Sequence, residues 1–69
     1  MKAAEIRELS DDEMAVELRN LTEQLFKLRF REVAENVRHS DEERGLRRDI
    51  ARVLTIQRER RLARERNAK

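Results

Sequence analysis

Sixty-nine residues with no cysteine and no proline leave room for one small domain and exclude disulfides and thiolate metal sites. Charged residues make up 46 % of the chain against 38 % hydrophobic, and two phenylalanines are its only aromatics. That balance suits long solvated helices rather than a globule with a deep core. The net charge of +2 conceals a segregation: residues 1–43 carry 7 basic and 12 acidic side chains, whereas residues 44–69 carry 10 basic and 3 acidic. An anionic partner for the C-terminal half is the expectation. The longest apolar run, Met14-Ala15-Val16, falls far short of the roughly 20 residues that span a bilayer, so a soluble, cytoplasmic chain with no membrane partner is expected.

Residues 1–9 read as a short helical lead-in whose Ile6 and Leu9 can sit on a neighbouring helix. Ser10-Asp11-Asp12-Glu13 is a capping-box pattern, and it predicts a first long helix over 10–35. Met14, Leu18, Leu21, Leu25 and Leu28 alternate spacings of four and three along it, a heptad-type seam that needs a second helix to bury it. Phe26, Phe30, Val33 and Val37 form a second apolar stripe on another face. Two readings of that stripe stand at this point: a drift of the core contact, or packing on Ile6 and Leu9, against a docking face for a partner protein or nucleic acid.

The periodicity weakens after Val37, which places the turn at 36–39. Ser40-Asp41-Glu42-Glu43 repeats the capping-box pattern and predicts a second long helix with a basic tail over 40–66. Two helices joined by so short a connection pack antiparallel. The expected fold is all-α: one antiparallel two-helix hairpin, a short coiled coil, with the lead-in at one end and a basic helical extension at the other.

Within the second helix Leu46, Ile50 and Val53 share a narrow arc, while Arg48, Arg52 and Thr55 point the opposite way. Arg44 extends the cationic side to a run of four-residue spacings, Arg44, Arg48 and Arg52. Like charges so placed cost an isolated helix roughly 0.2–0.5 kcal/mol per pair, a disadvantage that a polyanion alongside would reverse. Asp49, three residues before Arg52, can neutralise part of the stripe. Gly45 lies beside it, either a tolerated first-turn glycine or a gap through which a phosphate backbone comes close. Beyond Gln57 the tail carries Arg58, Arg60, Arg61, Arg64, Arg66 and Lys69, suits phosphate contacts, and should fray without a partner.

Nothing suggests an enzyme. Ser10 and Ser40 are absorbed as caps, His39 falls at the turn without companion ligands, and no glycine-rich phosphate loop or catalytic signature occurs. No metal, cofactor or small-molecule substrate is expected.

Three segments together resemble the bacterial family of ribosomal protein twenty-nine of the large subunit: Met1 to Leu9, Leu25-Phe26-Lys27-Leu28-Arg29-Phe30, and Leu46-Arg47-Arg48-Asp49-Ile50-Ala51-Arg52-Val53-Leu54-Thr55. The resemblance covers nearly the whole chain. It implies a structural constituent of the ribosome, a helical hairpin on large-subunit ribosomal RNA (rRNA) beside the mouth of the polypeptide exit tunnel. It also implies ribosomal protein twenty-three as a neighbour, with nascent-chain chaperones and targeting factors docking nearby. An RNA-contacting role is thereby carried onto Arg47, Arg48, Arg52 and Thr55, and also onto Lys27 and Arg29; the charge pattern adds Arg44 and Arg58. Where this family usually has Gly-Gln-Leu at the turn, the chain has Glu35-Asn36-Val37.

Two rivals come from other classes. One is a helical-hairpin adaptor that binds only proteins, through its seam and the Phe26, Phe30, Val33 and Val37 face. The other is a basic coiled-coil DNA binder, whose zipper would continue over more heptads than the seam here.

Overall fold

Ser10 starts the first long helix in the way its spacing predicts. Its Oγ accepts from the Glu13 N–H at 3.1 Å, and the Glu13 carboxylate accepts from the Ser10 N–H at 3.2 Å. The computed structural model describes residues 1–68 and holds three helices among them: α1 (Ala3–Arg7), α2 (Asp11–Glu35) and α3 (Ser40–Asn67). α2 and α3 form an antiparallel hairpin and α1 packs across α3, giving a rod of 52 × 17 × 17 Å.

The turn is made without glycine because Asn36 takes the left-handed conformation, φ 55° and ψ 41°. Asparagine tolerates that region better than other side chains. Around it the Val37 N–H donates to the Glu32 carbonyl at 3.1 Å and the Asn36 N–H to the Val33 carbonyl at 3.4 Å, so two orphan carbonyls of α2 are satisfied.

The start of α3 departs from the sequence reading. Ser40 is its first helical residue rather than its cap; that place belongs to His39, whose side chain makes no capping bond. The reason lies in the tertiary pairing. The Glu32 carboxylate on α2 accepts from the His39 N–H at 2.7 Å, while Glu43, the residue expected to reach back, is held by Arg29 at 3.5 Å and Arg47 at 3.4 Å.

The core sits at the end of the rod where all three helices meet. Ile6 of α1, Met14 and Leu21 of α2, and Val53 and Ile56 of α3 form one buried cluster, flanked by Ala3, Leu9, Leu18, Leu46 and Ile50. Nearer the turn only two helices face each other, and Leu28 is the buried residue there. The seam is therefore real, but α1 is what makes it a core. Burying each such side chain contributes about 1.5–3 kcal/mol, so a few residues carry most of the stability of so small a chain.

Phe26, Phe30 and Val33 are 72, 72 and 83 % exposed, and Val37 is 48 % exposed. This removes the reading in which the second stripe packs internally. Ile6 is taken up by the three-helix cluster, and the phenylalanines lie on the back of α2, away from α3.

Candidate nucleic-acid interface

α3 has one face to bury and one to show. Leu46, Ile50, Val53 and Ile56 turn inward, so residues half a turn away, Arg44, Arg48, Ala51, Thr55 and Arg58, form a solvent-facing strip with Arg47 and Arg52 on its margins. Among the described residues no carboxylate pairs with Arg44, Arg48 or Arg58. Two unpaired guanidiniums on adjacent turns, Arg44 and Arg48, and a third, Arg58, nearly three turns further along the same face give a strong positive potential with forked donors suited to phosphate oxygens.

The other expected site residues are placed differently. Arg47 and Arg29 share Glu43, a carboxylate that is only 14 % exposed, so each keeps part of its donor set for a partner. Arg52 pairs with Asp49 at 3.8 Å, the neutralisation its spacing allows, and also donates to the Met1 carbonyl. Asp49 in turn faces the N-terminal ammonium at 3.5 Å. The Thr55 hydroxyl donates to the Ala51 carbonyl at 2.8 Å; it is left as an acceptor rather than the phosphate donor that its position suggests. Lys27 is exposed on the flank it shares with Arg31 and Glu42, about 160° around α2 from Arg29, so the two do not act on one surface.

The basic tail is not left to itself. Arg60 and Arg64 both reach Asp11 in the first turn of α2, Arg60 at 3.1 Å, and Arg60 also donates to the Arg7 carbonyl at 2.8 Å. The expected fraying is countered by this clamp, and α3 continues to Asn67. The hydrogen bond from Arg60 leads in holding the Asp11 carboxyl below its ordinary value; the charge of Arg64 acts in the same direction. Lys69 lies outside the described residues.

Composition gave no reason to single out Arg7. On α1 it stands 3.7 Å from Glu59 and borders a groove against Arg48, Arg52 and Thr55. Its place depends on how α1 crosses α3, and a lone cation in a five-residue helix carries no signal of that. No group of His, Cys, Asp or Glu side chains able to hold a metal ion occurs among the described residues. No described helix is long and apolar enough to cross a membrane.

The described residues thus form a solvated helical hairpin with a cationic outer strip on α3 and an exposed apolar stripe on the back of α2. The ribosomal L29 protein family matches residues 4–60, and the chain belongs to that family. It is 51 % identical to the large ribosomal subunit protein uL29 of Gemmatimonas aurantiaca over 63 residues, which cover 91 % of this chain and 94 % of that protein. Its identity to the Carboxydothermus hydrogenoformans protein of the same name is 49 % over 65 residues, 94 % of each chain. The protein of that name from Tropheryma whipplei is 42 % identical over 60 residues, 87 % of this chain and 76 % of the relative. No solved structure matches the chain. Membership makes the protein a structural constituent of the large ribosomal subunit and not an enzyme.

Proposed function

We propose that α3 lies with its outer strip against large-subunit rRNA, where Arg44, Arg48 and Arg58 neutralise phosphates and Arg47 and Arg52 add contacts from the margins. The observation that carries this reading is that, among the described residues, no carboxylate pairs with the first three on the outer face, whereas Arg47, Arg52, Arg60 and Arg64 of the same helix each have one. Arg44 and Arg48, one turn apart, repel each other, and that repulsion is relieved when each meets a phosphate and releases its counterion. Recognition is by shape and charge, because no aromatic side chain interleaves with the strip to stack on single-stranded bases. Family membership supports the placement beside the exit tunnel, with ribosomal protein twenty-three as neighbour and nascent-chain chaperones and targeting factors within reach.

The back of α2 serves a protein neighbour in this reading. Phe26, Phe30, Val33 and Val37 repeat the four-three-four spacing of a helix-pairing stripe, and their exposure supports a partner that covers them on the subunit.

Co-sedimentation with large subunits tests the RNA reading. Arg44→Glu with Arg48→Glu is the informative pair, because Arg52 also holds the N-terminus and its loss would disturb α1. The double variant should lose the subunit while its helicity by circular dichroism stays intact. Retained sedimentation would reassign the face, and binding that survives molar salt would favour an apolar protein adaptor without an RNA role.

A further inference from the structure

Where α1 crosses α3 there is a groove of about 240 Å³ lined by Ala3, Arg7, Arg48, Ala51, Arg52, Thr55, Ile56 and Glu59. Its floor is apolar, made by Ala3, Ala51 and the buried Ile56, and guanidiniums from both helices stand at its lip. Two of them are fixed: Arg7 is paired with Glu59, and Arg52 is tied to Asp49 and the Met1 carbonyl. Arg48 is without a carboxylate partner among the described residues. The Thr55 oxygen, its proton committed to the Ala51 carbonyl, offers lone pairs at the same edge.

We propose that this groove receives one extruded base from the folded RNA that lies along α3, an inference that rests on the RNA reading of the strip. A phosphate alone would gain nothing from an apolar floor, and a purely aliphatic guest would gain nothing from three guanidiniums. A nucleotide has both halves. Its flat ring covers Ala3, Ala51 and Ile56 with an arginine plane over it, its phosphate meets Arg48, and its 2′-hydroxyl donates to Thr55. The acceptor oxygens of Glu59 suit a base that carries an exocyclic amino group. The volume holds one ring system and no extended strand. Looped-out or bulged nucleotides are the form in which folded RNA presents such a ring.

The test uses the full chain and two RNA hairpins with the same stem, one fully paired and one with a single bulged 2-aminopurine. The wild type should bind the bulged hairpin about tenfold more tightly, with a change in 2-aminopurine fluorescence on binding. Ala51→Leu fills the floor at an exposed helical position without altering charge. It should bring the bulge preference, read as the ratio of the two affinities in the same protein, to about one. Equal binding of the two hairpins by the wild type overturns the groove assignment, leaves the phosphate strip standing, and gives the groove to a side chain of a protein neighbour. Persistence of the preference in Ala51→Leu overturns it as well. Failure of the wild type to bind either hairpin brings down the strip and the groove together.

Discussion

Among the described residues the arginines of α3 divide into those that face solvent unpaired and those that the chain itself engages, and salt dependence reads that division directly. Each phosphate contact adds close to one to the slope of log affinity against log salt, so raising salt from 50 to 200 mM weakens binding about threefold per contact. Replacing Arg44, Arg48 and Arg58 together by glutamine should therefore flatten the slope by about three. Affinity for isolated rRNA fragments at low salt should fall by two or more orders of magnitude. Arg60 and Arg64 share the single carboxylate of Asp11, which leaves about one excess positive charge between them. Replacing both by glutamine should flatten the slope by no more than about one. The assay is equilibrium filter binding across a salt series, with circular dichroism to show that α2 and α3 persist. A triple variant with an unchanged slope, or an Arg60 and Arg64 variant that loses as much as the triple, would refute the assignment of the outer strip.

Ile6→Ala should destabilise the chain by about 2–5 kcal/mol, because Ile6 is fully buried where the three helices meet; thermal unfolding checks this, and a cost below about 1 kcal/mol would mean that α1 is not part of the core. Gly45→Ala should stabilise α3 by about 1 kcal/mol, since a β-carbon there meets nothing within 4 Å. If that variant also binds RNA as the wild type does, the glycine is a tolerated residue of the second turn of α3; a clear loss of affinity would show a phosphate backbone passing over it. The Asp11 carboxyl is held below its ordinary value of 3.8 in the folded chain, so its contribution is complete above that value and is lost as pH falls through the lower folded value. Amide exchange of residues 60–67, expressed relative to the intrinsic rate at each pH, should lose protection over that acid range, and Asp11→Asn should show the loss already at neutral pH. Phe26→Ser with Phe30→Ser should change stability by no more than about 0.5 kcal/mol, given that both rings are 72 % exposed, and should improve solubility; a large loss of stability would mean that the rings are covered within the chain.

The hairpin was legible because its signals are local. The heptad spacing of Met14, Leu18, Leu21, Leu25 and Leu28 marks one buried side, and the Ser10–Glu13 reciprocity needs only neighbours in sequence. Ser40 shows where such reasoning ends. Its surroundings satisfy the same pattern, yet Glu43 is drawn to Arg29 and Arg47 and the helix start is completed by Glu32 from across the turn. The cationic strip was visible from helical phase, whereas the pairing of individual arginines depended on register. Arg60 and Arg64 meet Asp11 because the antiparallel packing sets the far end of α3 beside the start of α2. Periodicity likewise identified the Phe26 and Phe30 stripe but could not say whether anything in the chain covered it.

Directed cleavage from a tethered iron chelate tests the orientation most directly, and the absence of native cysteine makes single attachment simple. Ala51→Cys places the chelate at the centre of the outer strip of α3, and Val33→Cys places it on the back of α2. In reconstituted large subunits the chelate at position 51 should cut rRNA strongly at a few neighbouring nucleotides, and that at position 33 weakly or at distant ones. Strong cleavage from position 33 with none from position 51 would contradict the account.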